Sequence, residues 1–267
     1  MIAGIDIGST TTKAVLRDKN EIVAMIRTKA LDPITSATGI LGKMLFEGNI
    51  PLSQIERISI TGAGSSKIDG DIFNIPTIKV DEITAIGKGG MYLSGGEGII
   101  ITNIGTGTAI IEASHDKITH IGGTGIGGGT ILGLSKRMLG TIDIENIVSM
   151  AHGGNLNQVD LLVGDIVDSG ISFLNKDNTA SNFGKMLDTA GNEDIAMAII
   201  NLVYQVIGVM SVFAVKSRNK NAISFTGNGS TNELGKNILV AISAMYEIEF
   251  NFPENPEYAT ALGAALT

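Results

Sequence analysis

Two short turns, far apart in the chain, constrain this sequence more than any other feature. The first is Gly4-Ile5-Asp6-Ile7-Gly8-Ser9-Thr10-Thr11-Thr12-Lys13, and the second is Asn103-Ile104-Gly105-Thr106-Gly107-Thr108. In each, an apolar strand reaches an Asp or Asn, passes through glycine and hydroxyl residues, and turns into another strand. Backbone N–H groups and Ser/Thr hydroxyls in such a turn can wrap phosphate oxygens, because small residues let the chain approach closely. Asp6, at the end of its strand, suits a hydrated Mg²⁺, which keeps waters and takes one or two carboxylates. Either turn alone is equally an ordinary hairpin. A pair, one in each half, can grip a polyphosphate from both sides of a cleft.

The elements around the turns repeat the same grammar. Residues 2–8, 11–17 and 21–30 read as three strands, followed by a helix at 35–46, strands at 57–61 and 78–80, and a helix at 84–93. The second half opens with strands at 98–103, 108–113 and 117–121. Helices are expected at 129–139, 143–152 and 158–168, then a long apolar helix, a strand at 222–226, a helix at 231–246, a strand at 247–250 and a closing helix at 258–266. Two lobes that each open with a three-strand meander indicate a duplicated α/β architecture with a cleft between. The seam falls near Glu97, dividing the chain into 1–97 and 98–267, with the last helix free to pack back on the first lobe.

Composition narrows the class. The chain has 35 Gly but only 5 Pro, and 43% of its residues are hydrophobic, which rules out disordered and collagen-like chains. Ten of the 35 glycines fall between Gly105 and Gly140, so they mark a local apparatus rather than general looseness. With 0 Cys, disulfide frameworks, zinc knuckles, iron–sulfur clusters and thiol nucleophiles are excluded, and a cytoplasmic location is expected. A net charge of −8 and a pI near 4.9 argue against a nucleic-acid surface. Met1-Ile2-Ala3-Gly4-Ile5-Asp6 lacks the charged start and cleavage pattern of a signal peptide. Ile195 to Val215 carries no charge over 21 residues, long enough to span a bilayer. It lacks a one-sided basic flank and carries Asn201, Tyr204 and Gln205, so it is read as a buried core helix of a protein that does not enter a membrane.

Three further motifs carry candidate chemistry. The run from Gly122 to Gly129, ending in Gly127-Gly128-Gly129-Thr130-Ile131-Leu132, precedes a helix whose N-terminal N–H groups and dipole favour an anion. It also matches G-x-G-x-x-G through Gly123, Gly125 and Gly128, but it follows a hairpin strand rather than the first strand of a parallel unit, which disfavours a dinucleotide fold. A Walker A loop is absent, since no Gly-Lys pair is followed by Ser or Thr. Asp81-Glu82 heads a helix after a strand; locally it reads as a cap and first-turn acid, or as a carboxylate placed to take a proton from a hydroxyl. Phe225-Thr226-Gly227-Asn228-Gly229-Ser230, between strand and helix, either packs against an adenine or caps the helix. His115, His120 and His152 are dispersed and show no metal spacing.

Taken in order, the two phosphate turns, Asp81-Glu82, the Gly122–Gly133 block, Thr179-Ala180-Ser181-Asn182-Phe183-Gly184 and the late Thr-Gly-Asn-Gly turn resemble the actin/hexokinase/Hsp70 superfamily. Within it the match is to the type II (eukaryotic-type) pantothenate kinases and covers nearly the whole chain. The resemblance implies duplicated ribonuclease H-like (actin-like ATPase) lobes with mixed sheets and an ATP cleft between them. It implies ATP and Mg²⁺ as cofactors, with Asp6 at the metal. ATP is expected at Asp6, Ile7, Gly8, Ser9, Thr10, Thr11, Thr12, Lys13, Thr106, Gly128, Gly129, Thr130, Ile131, Leu132 and Asn228. Glu82 matches the catalytic carboxylate, and Thr106, His120, Ser181 and Asn182 fall on the substrate side. The family usually has Arg where His120 stands, and there it holds the pantothenate carboxylate; His is shorter and not a bidentate fork. The N-terminal third also resembles the ATPase activators of 2-hydroxyacyl-CoA dehydratases, which need cysteines for an iron–sulfur cluster that this chain cannot hold.

The expected function is ATP-dependent phosphorylation of pantothenate to 4'-phosphopantothenate, at the start of coenzyme A biosynthesis, by a homodimer acting on a small molecule. Two alternatives stay open: a kinase of another small alcohol, because of His120, and an ATPase switch that acts on a protein partner.

Overall fold

The protein is described from a computed structural model, which covers residues 1–167 and 175–267. Strands β1 (Ile2–Ile7), β2 (Thr11–Asp18) and β3 (Glu21–Lys29) form an antiparallel meander; helix α1 (Pro33–Gly48) follows, then β4 (Arg57–Thr61), β5 (Thr77–Lys79) and helix α2 (Glu82–Ser94). The second half opens with β6 (Ile99–Ile104), β7 (Thr108–Ala113) and β8 (Ile118–Thr124), then α3 (Gly128–Met138) and α4 (Ile144–Ala151). A two-stranded ribbon, β9 (Leu161–Leu162) with β10 (Thr179–Ser181), precedes the long helix α5 (Asn192–Ser217). Strand β11 (Ala222–Thr226), α6 (Glu233–Tyr246), β12 (Glu249–Asn251) and α7 (Ala259–Ala265) complete the chain.

The two large sheets share one topology. The first has the order β3-β2-β1-β4-β5 and the second β8-β7-β6-β11-β12, each with an antiparallel meander and two parallel additions. The α/β expectation of two lobes with mixed sheets therefore holds, and the first residues after β1 and β6 occupy matching places.

Two helices cross between the halves. α7, from the end of the chain, packs on β1, β2 and β4, whereas α2, from the first half, packs on β6, β7 and β8. Where α2 meets α7, a Cβ at Gly89 would overlap the carbonyl of Ala259, and one at Gly263 the carbonyl of Ala85. Only glycine permits that backbone-to-backbone approach.

The apolar segment is the core of the second lobe. Ile199, Ile200, Val203 and Ile207 of α5 are fully buried against Ile100, Phe225 and Leu239. α5 is long and apolar enough to cross a membrane, yet 67% of its most apolar window is buried inside the protein.

One expected helix does not form. Periodic apolar residues pointed to a helix over 158–168, but 161–162 is a strand, short 3-10 turns flank it, and residue 168 lies outside the described residues. The segment is drawn into pairing instead: Val163 N–H donates to Asn178 O at 2.8 Å and Gly164 N–H to Lys176 O at 2.9 Å. Tertiary partners outweigh the local pattern here.

Candidate functional site

The two sheets bring the two turns together. Ser9 Oγ and Thr106 Oγ1 lie 2.8 Å apart, joining the loop after β1 to the loop after β6. Both side chains are exposed. Among the described residues, the backbone N–H groups of Ser9, Thr10, Thr106 and Gly107 donate to no protein acceptor. Four amides without protein acceptors and two hydroxyls on the two adjoining turns offer donors to anionic oxygens.

Behind the first turn lies a buried charged pair. Asp6 and Lys13 face each other across the β1–β2 register, with Lys13 Nζ 3.6 Å from Asp6 Oδ2. Burial raises the Asp6 pKa, opposed by Lys13. Thr61, opposite Asp6 on β4, is fully buried and its hydroxyl has no partner; the same holds for Thr12. A carboxylate at a strand end with one loose partner fits a hydrated Mg²⁺, held through Asp6. Ile7 belongs to the first lobe's core, so only its backbone is available to a ligand. Gly8 and Thr11 are half-buried at the two ends of the turn.

The glycine run serves a different purpose from the one its sequence suggests. The amides of Gly128 and Gly129, at the start of α3, donate to the carbonyls of Gly105 and Thr106, each at 2.9 Å. They clamp the second turn rather than standing free for an anion. Thr130 Oγ1 donates to Gly125 O at 3.2 Å and accepts from Gly127 N–H at 3.2 Å, which closes the loop on itself. Ile131 is buried in the second core, and Leu132 packs against it. The helix dipole still points its positive end at Thr106.

The acidic pair divides its labour. Asp81 is the N-cap of α2, accepting from Thr84 N–H at 2.9 Å and from Thr84 Oγ1 at 3.0 Å. Glu82, in the first turn, makes no hydrogen bond among the described residues and remains accessible, although neighbouring atoms crowd it. That partial desolvation raises its pKa; the Asp6 and Asp81 charges raise it further, and Lys13 lowers it. Glu82 thus stands close enough to Asp6 and Lys13 to feel both. A free carboxylate with a raised pKa beside a phosphate-sized donor cluster is equipped to take a proton from a hydroxyl.

His120 and the late turn both belong to the second lobe. Ile118 of β8 fills the place a Cβ at Gly87 of α2 would need, and His120, two residues along the same face and opposite Ile111, is exposed in the half of the strand away from Thr106. In the second lobe Gly227 (φ +85°) turns the chain past the Asn103 side chain, 2.8 Å from the position of a Cβ, and exposes Asn228. The first lobe contains the same device: Gly62 (φ +82°) in Thr61-Gly62-Ala63-Gly64-Ser65-Ser66 turns past Asp6. Ser65 Oγ donates to Gly62 O and Ser230 Oγ to Gly227 O, both at 2.7 Å. Aligning the two halves of the sequence exposes this repeat, which motif-by-motif reading passes over.

Ser181 and Asn182 stand apart from this cluster. Asn182 Nδ2 donates to Asp160 Oδ2 at 3.3 Å and to Gln205 Oε1 at 3.1 Å, so its amide is engaged. Ser181 is exposed at the end of β10. No described contact joins either residue to Glu82, Asp6 or Thr106. Their anchor is Asp160, which is fully buried and also accepts from Phe183 N–H at 2.9 Å, Asn201 Nδ2 at 2.8 Å and Thr179 Oγ1 at 3.1 Å. Nothing in the sequence pattern marked Asp160.

The chain is similar to known proteins in sequence and in fold. A family model described as Fumble matches residues 98–267. A type II pantothenate kinase from Bacillus anthracis is 28% identical over 259 residues, covering 91% of this chain and 88% of that protein. Among solved structures, the activator of the 2-hydroxyisocaproyl-CoA dehydratase from Clostridium difficile, with bound ADPNP, gives a TM-score of 0.68 at 19% identity, covering 99% of this chain and 92% of that one. The ROK hexokinase from Thermus thermophilus gives 0.58 at 12% identity, covering 99% and 97%. At such identities these structures establish the fold alone, an actin/hexokinase-like pair of mixed-sheet lobes.

Proposed function

The chain belongs to the Fumble family of type II pantothenate kinases, and from that premise we propose that it transfers the γ-phosphoryl group of ATP to the primary hydroxyl of pantothenate, yielding 4'-phosphopantothenate. The observation that carries the reading is the meeting of Ser9 and Thr106 on two turns whose amides lack protein acceptors, with the unpaired Glu82 within electrostatic reach of Asp6 and Lys13 behind the first turn.

In this reading the amides of Ser9, Thr10, Thr106 and Gly107 hold the phosphates, and Lys13 contributes charge behind them. Glu82 orients the acceptor hydroxyl and accepts its proton as the oxygen attacks phosphorus. Partial burial and the Asp6 and Asp81 charges raise its pKa, the direction that suits a proton acceptor, and Lys13 opposes the shift. Mg²⁺ at Asp6 would neutralise charge on the transferred group. His120 stands where the family has Arg, and if it meets the acceptor's far end it favours a hydrogen bond over a bidentate carboxylate clamp.

The test is ATP turnover against a panel of pantothenate-like alcohols, with Glu82→Gln alongside the native protein. Acceptor-dependent turnover that Glu82→Gln abolishes supports the kinase. Turnover that ignores both the acceptor and Glu82 points to an ATPase switch instead. His120→Arg should tighten pantothenate relative to its amide analogues. If the native protein prefers the amides, the acceptor is a neutral alcohol.

A further inference from the structure

Helix α5 is apolar for most of its length, yet Tyr204 sits at its centre with 1% exposure. A Phe there would fill the same core volume, so the hydroxyl has a separate reason to be present. A buried Tyr hydroxyl needs a partner, and this one donates to the carbonyl of Gly229 at 2.6 Å. Burial pushes its pKa up, so it remains a donor throughout the physiological range.

The turn that Tyr204 reaches is built from several directions. Ser230 Oγ closes it onto Gly227 O at 2.7 Å, and Gly229 sits against the side chain and carbonyl of Ile104. Ile104 is the residue before the Gly105–Thr108 turn, so the 227–231 segment forms a wall of the phosphate cleft. On the other side the Tyr204 ring lies where a Cβ at Gly235 would stand, and Gly235 N–H donates to the N-cap Asn232 Oδ1 at 2.9 Å. Tyr204 therefore ties the wall to α5 at one point and is itself wedged by the start of α6. Among the described contacts, α5 fixes one peptide group of the turn, that between Gly229 and Ser230, one residue past the exposed Asn228.

We propose that Tyr204 is a positioning residue for nucleotide recognition: through the Gly229 carbonyl it holds the 227–231 turn in the form that receives the base end of ATP. This rests on reading the cleft as an ATP site. The phosphate end is held by other groups, the amides of the Ser9 and Thr106 turns, so the effects on the two ends of the ligand are separable.

The experiment is calorimetric titration of the full chain, and of Tyr204→Phe and Gly235→Ala, with ADP and separately with inorganic tripolyphosphate. Gly235→Ala displaces the ring without removing its hydroxyl. Each variant should weaken ADP about five- to tenfold, the scale of one lost hydrogen bond, and leave tripolyphosphate affinity unchanged. The KM for ATP should rise in step while that of the acceptor holds. Unchanged ADP affinity with a lowered melting temperature would overturn the proposal, because the bond would then be merely structural. An equal loss for ADP and tripolyphosphate would overturn it too, since the whole cleft would have shifted. Absence of ADP binding by the native protein would sink the ATP reading itself, a result distinct from either.

Discussion

The same substitution, Gly to Ala in a helix, should change sign within this protein. Gly39 and Gly42 lie in the interior of α1, both exposed, with nothing within 4 Å of where a Cβ would stand. A helix-interior Gly costs about 0.8–1.0 kcal/mol relative to Ala, so Gly39→Ala and Gly42→Ala should each stabilise by about 0.5–1 kcal/mol. The intrinsic gain at Gly89 of α2 is the same. There, however, the new methyl would overlap the Ala259 carbonyl of α7, and at Gly263 it would overlap the Ala85 carbonyl. The obstructing atoms are backbone on both sides, so no side chain can swing away and the two helices must separate. Overpacking of this kind costs about 1–3 kcal/mol and sometimes more; rigid backbones put it at the upper end. After subtracting about 1 kcal/mol of propensity, Gly89→Ala and Gly263→Ala should each destabilise by roughly 2 kcal/mol. Equilibrium urea unfolding followed by circular dichroism measures the four midpoints directly. Because Glu82 opens α2, the Gly89 variant should also lose turnover, whereas the α1 variants should not. A Gly89→Ala protein that unfolds at or above the native midpoint would refute the argument, and so would a destabilised Gly39→Ala.

Glu82→Gln should reduce phosphoryl transfer by about 10²- to 10⁴-fold, the scale of a lost general base, with ADP affinity in calorimetry little changed. Because desolvation and the Asp6 and Asp81 charges raise the Glu82 pKa, the acid limb of kcat/KM should lie above the ordinary carboxylate range; a limb at or below that range would count against Glu82 as the base. The same shift has a stability sign: a carboxyl with a raised folded pKa supports folding below its unfolded pKa and loses that support as pH rises through the folded one. Glu82→Gln should therefore melt higher than the native protein at neutral pH and show no such advantage in acid. Asp160→Ala leaves the donors of Thr179, Asn182, Phe183 and Asn201 without that acceptor. Asn182 keeps Gln205 and Asn201 keeps Thr179 as acceptors, so with about 1–3 kcal/mol for each of the one or two groups left stranded the loss should reach about 3 kcal/mol in urea unfolding; a loss below about 1 kcal/mol would mean water replaces the carboxylate freely.

Much of the site was legible before any coordinates. The two turns announce themselves because phosphate-sized loops need glycine and hydroxyl residues at strand ends, and such requirements are local. Asp81 and Glu82 were visible as a pair, but their sequence fits a cap and a base equally well. Only the geometry assigns Asp81 to Thr84 and leaves Glu82 free. The Gly127–Gly129 run shows the opposite case. Its sequence fits an open anion site, and the fold commits the Gly128 and Gly129 amides to the Gly105 and Thr106 carbonyls.

By itself, the sequence determined most of the order of strands and helices outside 158–181, the repeat of the meander and the buried course of α5, since these follow from periodicity, turn residues and uninterrupted apolar character. It could not determine contacts between distant segments, whose residues carry no local mark of their partner. That α2 covers the second sheet and α7 the first, crossing through Gly89 and Gly263, was decided by the tertiary structure alone. So were the replacement of a helix near 158–168 by a ribbon around Asp160 and the reach of Tyr204 to Gly229. In each case burial makes an unpaired polar group or a clash cost more than local preference gains, and which groups are buried together is settled only when the halves meet.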